Sequence, residues 1–443
     1  MNGIVGVHHI AVSVPDIDKA RAFYVDLLGA RELTTAEWPL GTTAINVVLG
    51  LLDSAGRQFF ARLGNTHIEA FEYLVPRSPA QDPDRPVNLC GYTHFALQVD
   101  DIDAVYGRMC AAGIRFHTPP AEGGPIDAQG RKTGMRATYG RDFFGNVFEL
   151  IECNHDRHPA AVITPAFDII AEGFEFCEAP RAAAAGTIWF SDLTGGGYYR
   201  VLPGGEVETM LADRIWIGGA VRDAGGGIVC GGRGGLVLVE DGVARPLLTE
   251  IAGAPIVAVN DIEGDGRGGL FGGTIDFAAL FERGETPKGG IFFHLAPGGA
   301  VTILRDDVVA SNGIGFSPDG GTLYHSESTV GIWAWTFGED GIAHSPTLLA
   351  VADDCDGLAV DVEGGIWVAF WSEAVIRRYR PDGSVERVLS LPFPHLVSLA
   401  FGGADMRDLY VSTGGNADHP GKGGVVRIRT DVAGLPAHMC NLG

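Results

Sequence analysis

At 443 residues the chain is longer than one hydrophobic core usually organises, so two or more domains are expected. A formal net charge of −23 and a pI near 4.8, with no Lys/Arg cluster along any predicted face, oppose polyphosphate binding and exclude nucleic acid as an expected partner. The 65 glycines follow no collagen period and point to many tight turns between short strands.

From the first residues the chain reads as folded: Val7-His8-His9-Ile10-Ala11-Val12 has no basic segment with an apolar run behind it, and no stretch is long and apolar enough to span a bilayer. A cytoplasmic protein without a membrane partner is the expectation. The alternating run His9–Val14 predicts a strand. Asp16 suits a helix N-cap, and Ile17, Ala20, Phe23, Tyr24, Leu27 and Leu28 make the apolar stripe of the helix that Gly29 ends. The pattern recurs about 85 residues later, with His94 in the place of His9 and Val99-Asp100-Asp101-Ile102-Asp103 in the place of Val14-Pro15-Asp16-Ile17-Asp18. Each copy closes on short strands, at Thr66–Leu74 and Asn146–Glu152.

A duplicated module can turn equivalent residues toward one point. His9 and His94 open the two copies, and Glu69 and Glu149 stand in their final strands. Two imidazoles and two carboxylates suit a borderline divalent ion, Fe, Mn, Co, Ni or Zn, with positions left for both oxygens of a carbonyl substrate. His8 and His67 are ambiguous neighbours that alternation assigns by parity. On His9–Asp18, Phe23–Ala30, Leu63–Glu69 and Arg141–Leu150, residues 4–153 resemble the vicinal-oxygen-chelate superfamily of glyoxalase I, methylmalonyl-CoA epimerase, extradiol dioxygenases and fosfomycin-resistance proteins. The resemblance implies an α+β fold of duplicated βαβββ modules over residues 1–155, and it chooses His9 over His8. A Glu at position 69 implies the isomerase, epimerase or lyase side rather than the dioxygenase branch, which stays as the alternative. Glu149 and Asp53 would then be the catalytic carboxylates, Asp53 matching an additional base of the epimerases. Modules of this type commonly pair, which implies a homodimer through this domain.

The polar, proline-bearing stretch Asn154–Pro165 predicts a linker, placed at 156–166. Six apolar pairs then follow turn residues: Ile188-Trp189, Ile228-Val229, Leu270-Phe271, Leu323-Tyr324, Ile366-Trp367 and Leu409-Tyr410. Their spacing, roughly 40–53 residues, is that of a four-stranded propeller blade. An all-β, six-bladed propeller over 167–443 is the prediction, with Asp276–Gly290 an insertion in the longest interval.

Polar residues at blade starts can meet at a propeller's axis, and Glu172, Asn260, Asn312 and Asp356 each precede a predicted blade strand. Their carboxylate and amide oxygens suit Ca or Mg and tolerate Mn or Zn. Asn312–Tyr324, Asp356–Trp367 and Asn260–Asp276 resemble the gluconolactonase, senescence-marker and luciferin-regenerating family. The resemblance implies that Glu172, Asn312 and Asp356 hold the metal, that Asn260 binds substrate or completes the metal shell, and that Asp356 positions or deprotonates water. Two departures stand out. The family's Glu-Gly-Pro opening reads Glu172-Gly173-Phe174, and the arginine often found two residues before Asn260 is Ala258, which argues for a less polar or differently charged lactone. Asp192, Asp361, Trp189 and Trp367 read as structural blade residues. The seven scattered cysteines form no C-x-x-C pair and read as free thiols, with Cys355, beside Asp356, the one placed to be reactive.

The expected function is therefore bifunctional: proton transfer on a metal-chelated carbonyl compound in the first domain and metal-assisted lactone hydrolysis in the second. The alternatives are a dioxygenase that feeds the lactonase, or one domain serving as a non-catalytic binding module.

Overall fold

In the computed structural model, which describes residues 7–79, 81–99, 101–123, 135–153, 162–338 and 343–443, the chain divides into two units, Met1–Ile163 and Thr164–Gly443. Residues 154–161 of the predicted linker and Asp100 of the second repeat lie outside the described residues.

The first unit repeats itself strand for strand. Ile10–Ser13 runs parallel to Thr66–Val75, which continues antiparallel into Ala55–Leu63 and Arg31–Trp38. In the second copy His94–Gln98 runs parallel to Val147–Cys153, which continues antiparallel into Met135–Arg141, with Arg115–Phe116 and Ala121–Gly123 beyond. The helices begin as the sequence predicts: Asp16 accepts from the amides of Asp18 and Lys19, and Asp101 from that of Ala104. The first helix winds wide after Arg21, Leu28 N–H bonding Phe23 O, and Gly29 at φ 77° ends it. Even the polar supports recur: Glu72 accepts from Ile17 N and Glu152 from Ile102 N, placing one carboxylate at each helix N-terminus. Phe23, Tyr24, Phe59 and Ile68 pack with Ile102, Met109, Phe148 and Leu150, so the two copies share one core.

Among the described residues the second unit has six main antiparallel sheets, the third with Gly232–Arg233 added beside Ala258–Gly264, and a two-stranded hairpin of Glu250–Ile251 with Ala254–Pro255. Five take four strands in chain order, opening with Cys177–Ala182, Ala220–Arg222, Ala258–Gly264, Ser311–Phe316 and Cys355–Val360. The sixth opens with Leu396–Gly402 and takes its outermost strand, Phe167–Phe174, from the start of the unit. First strands of successive sheets touch in chain order and the sixth touches the first, which closes a ring. Each of the six apolar pairs predicted from the sequence lies in the second strand of one sheet. The long interval holds the helical turn Ala278–Arg283. Among the described residues no helix is long and apolar enough to cross a membrane.

Candidate functional site

The opening strands of the sheets share a device. In five of them the pairing with the second strand slips, between Glu178 and Arg181, Val259 and Ile262, Ser311 and Ile314, Cys355 and Leu358, and Leu396 and Leu399. Such bulges free residues from the ladder and re-aim their side chains. Asn260, Asn312 and Asp356 all fall in bulges, each near the start of its strand. They are tied together across three sheets: Asn260 Nδ2 donates to Ser311 O at 2.7 Å and to Asn312 Oδ1, and Asn312 Nδ2 donates to Ser328 Oγ at 2.6 Å. Ser328 Oγ in turn donates to Cys355 O at 2.6 Å, and Ser326 Oγ to Asp356 O. The structure thus brings together three of the four residues the sequence selects.

Glu172 is not among them. It sits exposed on Phe167–Phe174, the outermost strand of the sixth sheet, opposite Gly424. Glu178, 4% exposed, lies instead on the first strand of the first sheet. Burial, then the charges of Asp356 and Asp261, push the Glu178 carboxyl well up. Burial, then Asp261 and Asp354, do the same to Asp356. Asp261, which sequence reasoning did not single out, is pushed up to about 7 by burial, with Arg181 opposing and Glu263 adding to the rise. A signal for Glu178 is present in the sequence: Glu178-Ala179-Pro180 carries the Glu-x-Pro pattern six residues beyond Glu172. Ala179 has φ 49°, the left-handed backbone that glycine adopts freely, so the middle residue of a Glu-Gly-Pro opening belongs at that position. Sequence reasoning also passed over Ser311, Ser326 and Ser328, which carry no motif of their own and matter only through contacts between sheets.

Carboxylates repelling one another in a buried place, beside amide oxygens, form a donor set for a hard divalent cation. Asn260 Oδ1 fits that reading: it is buried and has no hydrogen-bond partner. Among the described residues no three His, Cys, Asp or Glu side chains are grouped to hold a metal ion. A set of Glu178 and Asp356 completed by asparagine oxygens needs no third such side chain.

In the first unit, register decides the pairing. Ala11 faces Glu69 and Ala96 faces Glu149, so the histidine two residues before each alanine shares a face with its glutamate. His9 Nε2 lies 3.2 Å from Glu69 Oε2, and His94 Nε2 lies 3.2 Å from Glu149 Oε2. The four remain two pairs and are not gathered into one ligand group. His8 stacks on Phe60 and His67 instead. Asp53 is not brought to either pair: it precedes Ala55 at the far end of the strand whose Phe60 faces Glu69. It is exposed and tied to Gly41 N and Asn46 Nδ2, and the Gly41 bond, the largest influence, holds its carboxyl below the usual range, which suits a loop clasp better than a base. Cys355 is buried and burial drives its thiol far up, so it is no nucleophile. Asp192 and Asp361 hold local backbone, Asp192 through the amides of Glu175, Phe176 and Gly195, Asp361 through those of Glu363 and Gly365.

Residues 176–415, more than half of the chain, match the family model described as SMP-30/Gluconolactonase/LRE-like region. The chain belongs to this family. The match takes in Glu178, Asn260, Asn312 and Asp356 and begins beyond Glu172. Residues 6–150, with both His–Glu pairs, match the Glyoxalase/Bleomycin resistance protein/Dioxygenase superfamily. Among curated relatives, a 6-deoxy-6-sulfogluconolactonase of Pseudomonas putida is 29% identical over 263 residues, 56% of this chain and 88% of its own. Pentonolactonase XacC of Haloferax volcanii is 28% identical over 239 residues, 52% of this chain and 79% of its own. Among solved structures, a calcium-binding regucalcin of Agrobacterium tumefaciens superposes with a TM-score of 0.57 at 23% identity, covering 63% of this chain and 99% of that one, a likeness of fold.

Proposed function

We propose that the second unit is a divalent-cation-dependent lactone hydrolase whose six sheets are the blades of a propeller. The observation that carries this reading is the convergence of Glu178, Asn260, Asn312 and Asp356 from four different sheets on one buried polar place within the matched family region. Glu178, Asp356 and Asn312 would hold the cation, and Asn260, with its unpartnered oxygen, would complete the shell or face the substrate. When bound, the cation supplies Lewis-acid polarisation of the lactone carbonyl. Asp356, half-buried at the channel end of its strand, orients the attacking water and accepts its proton. Ser326 and Ser328 fix the backbone that carries Asp356, and the Asn260–Asn312–Ser328 chain keeps both amides from rotating. The names of the lactonase relatives support the reaction class, while Ca, Mg, Mn and Zn stay open as the cation.

The repeated His–Glu pairs favour a second reading for the first unit: Glu69 and Glu149, each held by an imidazole, move a proton on a small carbonyl compound. This makes the chain bifunctional, with the two His–Glu pairs separate rather than one ligand set for an Fe, Mn, Co, Ni or Zn ion.

The test uses the intact chain stripped with EDTA and reloaded with each cation. Lactone hydrolysis should vanish on stripping, return on reloading and stay absent in Asp356→Asn. Solvent deuterium incorporation into 2-oxo acids or CoA thioesters, lost in Glu149→Gln alone, tests the first unit. Hydrolysis that survives both EDTA and Asp356→Asn overturns the lactonase reading.

A further inference from the structure

Beside the polar site two half-buried aromatic side chains, Phe176 and Trp371, stand in front of two buried ones, Trp216 and Phe277, each 4% exposed. Phe176 immediately precedes Cys177-Glu178, and Trp371 follows Phe370, which pairs with Cys355 beside Asp356. Trp216 stands two residues before Gly218, where an added Cβ would meet Asn260 Oδ1 at 1.7 Å. Phe277 stands two residues after Ile275, the partner of Ala258. Segments flanking four sheets therefore carry an aromatic group close to the site in the chain.

These groups also touch one another. Trp371 stacks on Phe176 with centroids 4.9 Å apart and on His395 at 3.8 Å, and Trp216 meets Phe277 at 6.0 Å. Leu193, Trp216, Ala258, Ile275 and Phe277 form one apolar cluster against which Phe176 packs. Trp216 is held at φ 67°, a backbone region that bulky residues rarely adopt, so the surrounding structure maintains its placement against strain. Beyond Phe277 the helical turn Ala278–Arg283 leaves Leu280 and Phe281 exposed at 44% and 41%, apolar surface beside the rim with no cover of its own.

Two cations near the site are already committed. Arg214 donates to Gly231 O at 3.0 Å and Gly235 O at 2.7 Å, and Arg233 lies 3.8 Å over the Trp216 ring and pairs with Glu282. The position two residues before Asn260 is alanine, fully buried. A polyhydroxylated or sulfonated ring would thus give up hydrogen bonds to water against the faces of Phe176 and Trp371 with neither Arg214 nor Arg233 free to replace them, whereas an alkyl or aryl ring has no such hydrogen bonds to give up.

We propose that the ring opened at this site carries an apolar body, so that the substrate class is alkyl- or aryl-fused lactones rather than sugar lactones. Phe176 and Trp371 are its specificity-determining residues, and Trp216 and Phe277, buried behind Phe176, hold that face in place. The inference rests on the lactonase reading and goes beyond it.

The experiment compares dihydrocoumarin and γ-nonalactone with glucono-δ-lactone and a pentono-lactone on the cation-loaded intact chain, following acid release. The apolar pair should show kcat/KM at least ~100-fold higher. Trp371→Ala, a half-buried rim position, should raise KM for dihydrocoumarin about tenfold and leave kcat within about threefold, since uniform binding is lost without loss of transition-state contacts. Calorimetric binding of the unreactive cyclic ether chroman, against glucose, reads the rim independently of hydrolysis. Preference for the sugar lactones, or chroman binding no tighter than glucose, overturns the specificity proposal. Chroman binding weakened by Trp371→Ala, with every lactone inert under every cation, supports the apolar rim and instead overturns the hydrolase reading.

Discussion

Glu178→Gln separates two consequences of burying carboxylates together. The side chain is 4% exposed, and burial, then the charges of Asp356 and Asp261, push its own carboxyl well up, while burial pushes the Asp261 carboxyl from 3.8 to about 7. At about 1.4 kcal/mol per pKa unit, that displacement is worth on the order of 4 kcal/mol of disfavoured ionisation at neutral pH. Ionising Glu178 in its own buried place is disfavoured in the same way, and glutamine carries no charge to bury, so Glu178→Gln should relieve a part of such a penalty, about 1–2 kcal/mol. With roughly 2–4 °C of Tm per kcal/mol for a unit of this size, Glu178→Gln should melt roughly 2–8 °C above the wild type in EDTA. With a divalent cation present the order reverses. Loss of a group that merely orients a ligand costs 10–100-fold in metal affinity, so loss of a charged ligand should exceed about 100-fold and take hydrolysis with it. Glu172→Gln is the control: exposed on an edge strand, it should change neither melting nor turnover. The assays are calorimetric melting in EDTA and in saturating Mn²⁺, with an indicator assay of acid release from lactones. Hydrolysis lost in Glu172→Gln but kept in Glu178→Gln would refute the assignment, and so would a metal-free Glu178→Gln that melts below the wild type.

The metal-free protein should also lose stability as pH rises from about 4 to 7. Asp261 has a folded pKa above its unfolded value, so in that window the folded state keeps a proton that the unfolded state has released. Melting in EDTA at pH 5 and pH 8 checks this, and Asp261→Asn should flatten the difference. Asp356→Asn should keep the fold, because asparagine retains the shape and one oxygen, yet lower hydrolysis by at least about 1,000-fold, since charge and proton acceptor both go. Circular dichroism beside the kinetic assay distinguishes this from unfolding. Ser328→Ala frees the Asn312 amide from its 2.6 Å partner and should weaken cation binding about tenfold by chelator competition, with Ser328→Thr restoring it. An unchanged affinity would make Ser328 a spectator.

Local periodicity made much of this protein legible before folding. Alternation and duplication put His9 and His94, and Glu69 and Glu149, at equivalent places, while the choice of His9 over His8 rests on the family resemblance and the separation into two His–Glu pairs only on the strand register. The recurrence of apolar pairs marked the second strand of every sheet, and Asn260, Asn312 and Asp356 stood at matching points of that repeat. Long-range closure was not legible. The strand Phe167–Phe174 is the first of the second unit but pairs with Gly423–Arg429, so it completes the last sheet, and a count of sheets from the start of that unit puts Glu172 on an opening strand although it lies on an outermost one. Asp53 failed for a similar reason: its nearness to Glu69 in sequence spans two antiparallel strands that carry the two residues apart. The aromatic rim and the serine supports draw on residues from different sheets, and they exist only once the ring is closed. Sequence determines what repeats along the chain, through side-chain alternation and turn chemistry. Which repeats meet, and which residues they thereby bury together, is decided by packing between segments hundreds of residues apart.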